Sequence, residues 1–273
     1  MGWWKRFRDG LSANPNDCKC KIVPLPSRPI APEKTNTASR KEDNIQFPNI
    51  KKVSKTLEFF KNPVFLDIET TGLHSDDRIV SISIIKCSFE EQKPRVYVMN
   101  LVFDPLKKSH PMAENVHKLD DWMLRHQDVF GQHISEISEF IESGDCLVAH
   151  NANFDVPFLE REFTRWGQSM PQKPVFCTMV EARQQGWYPA SLSACAERIG
   201  LRRQTDQHLA IEDALMCMSL WWHWLGMGPI QTNPQGWPKF SNLRSFPQRP
   251  DNLPRRNNKK KLATFYQTPP EEV

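Results

Sequence analysis

The 273-residue chain lacks a continuous apolar run at its start, where Met1-Gly2-Trp3-Trp4-Lys5-Arg6-Phe7-Arg8 mixes aromatic and basic side chains. That pattern argues against a signal peptide. Arg6 stands where an N-myristoylation signal requires Ser or Thr. The apolar part of the longest uncharged run, Ala214 to Ile230, contains Ser219, His223 and Pro229, and is too short and interrupted to predict a membrane-spanning helix. Paired cysteine spacing is also missing. The seven cysteines share no repeat, and Cys18-Lys19-Cys20 is one residue too tight for a C-x-x-C motif. This excludes a zinc-finger arrangement and a disulfide framework. The expectation is a soluble, cytoplasmic protein with reduced thiols and no membrane partner. No polymerase, helicase or endonuclease domain accompanies it in the chain.

What is present is divided by charge. The formal net charge of +4 conceals +7 over residues 1–62, −8 over 63–228 and +5 over 229–273. Residues 1–52 are rich in Pro, Asn, Ser and Lys and predict a flexible basic arm. Residues 53–228 form the expected globular domain, and 229–273 a second basic, Pro/Asn-rich tail. Within the domain, three strands are expected over Val64–Glu69, Arg78–Phe89 and Arg95–Phe103. Helices are expected over Ala113–Arg125 and Ile134–Glu142. Further strands follow at Cys146–Ala149 and Pro174–Thr178. Helices follow from Phe154 or Asp155 to Trp166 with Asn153 as N-cap, near Met179–Gln185 and Ser191–Ile199, and over Leu209–Leu225. This order describes one mixed sheet covered by helices, an α/β domain.

The domain is organised around Val64-Phe65-Leu66-Asp67-Ile68-Glu69-Thr70-Thr71-Gly72-Leu73. With a period of two, Asp67 and Glu69 share one face and Val64, Leu66 and Ile68 the other. Two neighbouring carboxylates repel, and burying them without a counter-charge costs several kcal/mol, so a divalent cation held by hard oxygen ligands is one solution. Two solvated acids at a strand end is the other.

Asp155 lies three and four residues before Phe158 and Leu159, on the apolar stripe of its predicted helix. A first-turn acid that merely favours the helix dipole would look the same. Asp213 shares a face with Cys217, Leu220, Trp221 and Trp224 in a helix apolar on nearly all sides. It is therefore an interior acid in need of a partner, either a metal or a nearby Arg. His208, five residues earlier, falls in the preceding loop if the helix begins at Leu209.

These pieces jointly resemble the three motifs of the DnaQ-like, or DEDDh, 3′–5′ exonucleases, which include the proofreading epsilon type. Phe65-Leu66-Asp67-Ile68-Glu69-Thr70-Thr71-Gly72 is similar to the first, His150-Asn151-Ala152-Asn153-Phe154-Asp155 to the second, and His208-Leu209-Ala210-Ile211-Glu212-Asp213-Ala214 to the third. Four residues separate His208 from Asp213, the DEDDh rather than the DEDDy spacing. The resemblance implies a ribonuclease H-like fold with a five-stranded mixed sheet. It implies two Mg²⁺ or Mn²⁺ ions on Asp67, Glu69, Asp155 and Asp213. Such ions, roughly 3.5–4 Å apart, can activate a water and steady the departing oxygen. It further implies His208 as the base, since histidine titrates near neutral pH. The product would be nucleoside 5′-monophosphates released from a single-stranded DNA 3′ end, with RNA trimming and a non-catalytic nucleic-acid-binding module as alternatives. Thr70, Thr71, Gly72, Leu73, His117, Asn151 and Phe154 are the implied substrate contacts. The chain departs from proofreading relatives at His117-Lys118-Leu119, where they often carry His-Gly-Ile.

The tail carries Lys259-Lys260-Lys261-Leu262-Ala263-Thr264-Phe265-Tyr266. Its basic run suits salt-dependent phosphate contact. Its Leu-x-x-Phe-Tyr pattern resembles a sliding-clamp or polymerase-binding peptide with Lys259 in the usual Gln position. A solvated, flexible tail is the simpler expectation. Trp221, Trp222 and Trp224 are expected in the core or against the tail.

Overall fold

Alternating apolar residues build the centre of the molecule. In the computed structural model, which describes residue 57 and residues 59–88, 95–227, 230, 234–259 and 261–262, β1 (Pro63–Thr70) pairs antiparallel with β2 (Ile79–Ser88), and β2 with β3 (Arg95–Val102). β4 (Cys146–Ala149) joins β1 in parallel, and β5 (Val175–Cys177) joins β4. The sheet order is β3-β2-β1-β4-β5, which makes β1 the central strand. Helices α1 (Pro111–His117), α2 (Asp121–Leu124) and α3 (Ile134–Glu142) follow β3. α4 (Ala152–Arg165) follows β4, and α5 (Thr178–Gln184), α6 (Leu192–Arg198) and α7 (Ala210–Trp224) follow β5.

The two faces of β1 enter two cores, as its period of two requires. Val64, Leu66 and Ile68 pack with Ile82, Ile84 and Leu101 against Ile137, Phe140 and Ile141 of α3 and Leu159 and Phe163 of α4. Phe65 turns the other way, with Ile85, Val148 and Phe176, against Ile211, Met218 and Trp221 of α7. Trp221 is fully buried and meets Phe65 and Phe176 edge-on at 5.7 and 5.0 Å between ring centres. Each such buried side chain contributes about 1.5–3 kcal/mol of transfer free energy, so the orientation of β1 is fixed strongly. Asp67 and Glu69 lie on the α7 face, beside Ser83 and Ser81 of β2.

Three expectations are corrected. The helix expected over Ala113–Arg125 is two helices, because Lys118 takes a left-handed conformation (φ 56) and its N–H caps Glu114 O. The Asp120 side chain then caps α2 by accepting from Trp122 N at 2.7 Å. α4 starts at Ala152 rather than at Phe154 or Asp155, and the residue before it is Asn151, itself left-handed (φ 73), not Asn153. The third correction concerns the tail.

Described residues of the tail do not hang free: most stay exposed to solvent, but they are bonded along the sheet edge. β3 is an edge strand, whose free N–H and C=O groups need covering. Asn242 covers them as a neighbouring strand would: Val102 N donates to Asn242 Oδ1 at 3.0 Å, and Asn242 Nδ2 donates to Val102 O at 2.7 Å. Ser241 N donates to Asn100 O at 2.9 Å, and Asn100 Nδ2 to Pro238 O at 2.8 Å. The expected N-terminal arm and residues Ala263 to Tyr266 of the clamp-like peptide lie outside the described residues. Among the described residues, no helix is long and apolar enough to cross a membrane, and Cys146, Cys177, Cys195 and Cys217 are free of disulfides.

Candidate active site

The C-terminal end of β1 opens into a cleft of about 770 Å³. Asp67 and Glu69 reach it from β1, Asp155 from the first turn of α4, and Asp213 from the first turn of α7. A register shift between Glu69 and Thr70 ends the regular pairing with β2 just past the second carboxylate. Asp155 and Asp213 are buried, and Asp67 and Glu69 half-buried.

Crowding these acids changes their chemistry. Lost hydration, then the charges of Asp213, Asp155 and Glu69, hold the Asp67 carboxyl well above its ordinary range. Lost hydration and Asp213 push Glu69 up to about 9. Lost hydration raises Asp155 to about 8, although main-chain N–H groups of Asp155 and Ile68 partly offset it. Arg203 opposes the rise at Asp67 and Glu69. Its Nη2 lies 2.5 Å from Asp213 Oδ1. The two partners foreseen for Asp213, an arginine and a metal, are thus not exclusive: the guanidinium takes one oxygen and leaves the other facing His208.

The loop before α7 positions both Arg203 and His208. Buried Glu212 ties it down, accepting from Gln204 N at 2.5 Å and Thr205 Oγ1 at 2.7 Å. His208 N donates to Val116 O of α1 at 3.0 Å. His208 Nδ1 lies 3.3 Å from Asp213 Oδ2, on a half-exposed ring at the cleft. Ligand atoms of Glu69, His208 and Asp213 all lie within 4.8 Å of one another. Acidic oxygens this close, with one guanidinium against them, fit a hard divalent cation. Motif spacing announced His208, whereas Arg203 was missed; its signal would have been a cation in the loop just ahead of an interior acid.

The implied substrate contacts divide. Thr70, Gly72, Leu73, His117 and Phe154 line the cleft, and Leu73 is among its most exposed residues. Thr71 does not line it, because its hydroxyl turns inward to donate to Asp77 Oδ1 at 2.7 Å. Asn151 does not line it either; its left-handed backbone turns the chain into α4 and leaves its side chain outside. Asp77 was not singled out by sequence. Burial opposes its ionisation, but hydrogen bonds from Lys107, Thr71 and the His74 N–H outweigh that and hold it at about 2.

Two histidines have fixed states. Leu119 N donates to His117 Nδ1 at 2.9 Å, so the ring proton belongs on Nε2, a buried atom without a protein partner. Burial pushes His117 down to about 4, which keeps it a neutral donor at the cleft. His150 is held between Thr178 Oγ1 and Ala190 O, both at 2.9 Å, and braces the turn ahead of α4.

Comparison with known proteins gives a consistent result. The family model RNase_T, described as Exonuclease, matches residues 64–221. DNA polymerase III subunit epsilon of Treponema pallidum (strain Nichols) is 33% identical over 159 residues, covering 56% of this chain and 72% of that protein. The subunit of the same name from Salmonella typhimurium is 27% identical over 128 residues; the chain spans half of its length (50%), and the match takes 44% of this chain. Two solved structures share the fold. The nuclease domain of 3′hExo, a DEDDh family member bound to rAMP, superposes with a TM-score of 0.50 at 11% identity, over 64% of this chain and 96% of that one. Cell-death related nuclease 4 does so with a TM-score of 0.51 at 13% identity, over 63% and 66%.

Proposed function

We propose that this chain, which belongs to the DnaQ-like DEDDh family of 3′–5′ exonucleases, removes nucleoside 5′-monophosphates one at a time from the 3′ end of single-stranded DNA, in proofreading or repair. The observation that carries the reading is that Asp67, Glu69, Asp155, Asp213 and His208 all line one cleft.

Asp67, Glu69, Asp155 and Asp213 would hold two divalent cations, Mg²⁺ or Mn²⁺. Bound there, the cations would lower the pKa of water and stabilise charge on the departing oxygen. The chain's own residues do the rest. Asp213 Oδ2 faces His208 Nδ1 and orients the ring, which leaves Nε2 to take a proton from the attacking water. Gly72 and Leu73 form the floor under the terminal nucleotide, Phe154 offers an aromatic face beside it, and the neutral His117 ring packs into the wall next to it. Thr71 supports this surface from behind through Asp77, and Asn151 turns the chain into α4, which carries Asp155. The domain over residues 53–228 would work in the cytoplasm beside a polymerase, since the relatives it matches are by name polymerase subunits.

The test is incubation of purified protein with 5′-labelled single-stranded DNA or RNA oligomers, with Mg²⁺, Mn²⁺ or a chelator. A stepwise ladder shortening from the 3′ end with either metal, faster on DNA and absent with chelator, is the expected result. A faster RNA ladder would reassign the substrate. No ladder with any metal would overturn the assignment.

A further inference from the structure

The tail segment does more than cover an edge strand; its last turn reaches the wall of the cleft. Arg256 pairs with Asp104 and, at 2.6 Å, with Asp121. Lys261 Nζ lies 2.6 Å from Asp104 Oδ2 and donates to the main-chain oxygens of Gln127 and Arg125 at 2.5 and 3.1 Å. Asp104 is 3% exposed. Two cations from the tail therefore compensate one interior carboxylate, and removing them leaves a buried charge short of partners.

Asp104 begins the loop that forms the cleft wall. Its Oδ1 accepts from Leu106 N at 2.8 Å, and Asn258 Nδ2 donates to Leu106 O. Leu106 sits at φ 59, a conformation that leucine rarely adopts, so the loop is held from outside. The next residue, Lys107, lies 2.8 Å from Asp77 Oδ1. Asp77 accepts from His74 N at 2.9 Å and presses against Gly72, the floor of the site. Contacts thus run without a break from Arg256, Asn258 and Lys261 through Leu106, Lys107 and Asp77 to Gly72. A chain of packed polar groups of this kind can transmit a change at one end to the other.

Building on the exonuclease reading above, we infer that residues 234–259 and 261–262 are a built-in brace that positions Lys107 and the Thr71–His74 turn, and so sets how tightly the cleft holds a polynucleotide strand. Arg256, Asn258 and Lys261 are positioning residues, since none of them lines the cleft. The brace acts on strand binding, because the acids are carried by β1, α4 and α7 and His208 by the loop before α7, whereas Arg256, Asn258 and Lys261 bond to Asp104, Leu106, Asp121, Arg125 and Gln127.

The test compares the full-length wild type with Arg256→Gln/Lys261→Gln and with Asn258→Ala on two substrates. One is a single-stranded oligodeoxynucleotide. The other is the p-nitrophenyl ester of thymidine 5′-monophosphate, which occupies the carboxylate site and the Gly72 floor but offers no strand to the Lys107 wall, so its kcat reports the chemistry alone. The brace predicts that KM for the oligonucleotide rises about tenfold in the double variant and about threefold in Asn258→Ala, with kcat on the ester within about twofold of wild type. Asn258→Ala leaves all three ion pairs in place, so it supplies the readout if the double variant fails to fold. An unchanged oligonucleotide KM, or a kcat on the ester that falls as far as the oligonucleotide KM rises, would overturn the brace and leave the exonuclease intact. A wild type inactive on both substrates would overturn the exonuclease reading and this inference with it.

Discussion

Gly72 shows how closely the floor of the site is packed. A Cβ added there would stand 2.4 Å from Asp77 Oδ2. That carboxylate cannot swing away freely, because Thr71 Oγ1, His74 N and Lys107 Nζ all hold it. Gly72→Ala is therefore expected to cost about 1–3 kcal/mol of stability, the usual range for overpacking, and to raise KM for an oligonucleotide. Urea melts and steady-state kinetics check the two effects, and a neutral outcome in both would show that the floor yields. At this scale the sequence was most informative where a residue's role follows from periodicity. Asp67 and Glu69 had to share a face, and Asp213 had to be interior. It was least informative where the role depends on a loop's path. Thr71 looked like a substrate contact and proves to be a strut, while Arg203 and Asp77 reach the site through loops whose course no period predicts.

Element ends follow local chemistry more than hydrophobic pattern. The apolar spacing over Ala113–Arg125 is continuous, yet Lys118 breaks it with a left-handed residue. An L-residue pays roughly 1–2 kcal/mol in that conformation, and glycine does not. This gives a physical reason for the Gly that proofreading relatives often carry at that point. Lys118→Gly is expected to stabilise the protein by about 1 kcal/mol, since the exposed Lys118–Asn115 hydrogen bond it removes is worth little. A rise in the urea midpoint at unchanged m-value would check it, and a fall would mean that the lysine makes a contact of greater value. Strand positions, by contrast, were legible to within a residue or two, because each strand is apolar and bounded by turn residues. The Asp120 cap was also visible in principle, as the first of two acids ahead of the short apolar run Trp122-Met123-Leu124.

For the whole molecule, the charge blocks were legible and their pairing was not. A basic tail after an acidic domain reads equally as a solvated tail or as a bound one. The domain's acids that the tail engages, Asp104, Asp120, Asp121 and Asp128, meet Arg256, Arg249, Arg256 and Arg244 in turn. That partnership requires the sheet edge to be in place first. Asp128 also belongs to a pH-sensitive cluster. Burial pushes His133 down, but hydrogen bonds to Asp128 (3.0 Å) and Glu136 (2.5 Å) outweigh it and raise it to about 9. Its contribution to stability is complete below the ordinary histidine range near 6.5 and is lost as pH rises through 9. Thermal melts at saturating Mg²⁺ should therefore show Tm falling between about pH 6.5 and 9, and His133→Ala should flatten that fall. A profile identical in the variant would assign the fall elsewhere. Without metal the fall should be steeper. Glu69 and Asp155, raised to about 9 and about 8, also favour the folded protein while protonated and lose that advantage as pH rises.

The central claim is that Asp67, Glu69, Asp155 and Asp213 hold divalent metal while His208 moves the proton. Titration of the protein with Mn²⁺, following the free ion by electron paramagnetic resonance, tests it in wild type, Asp213→Asn and His208→Ala. Two ions are expected to bind the wild type and His208→Ala with similar affinity, although the latter turns over about 10²–10⁴-fold more slowly. Asp213→Asn is expected to bind fewer ions and more weakly. Equal loss of Mn²⁺ binding in both variants, or no binding by the wild type, would contradict these roles.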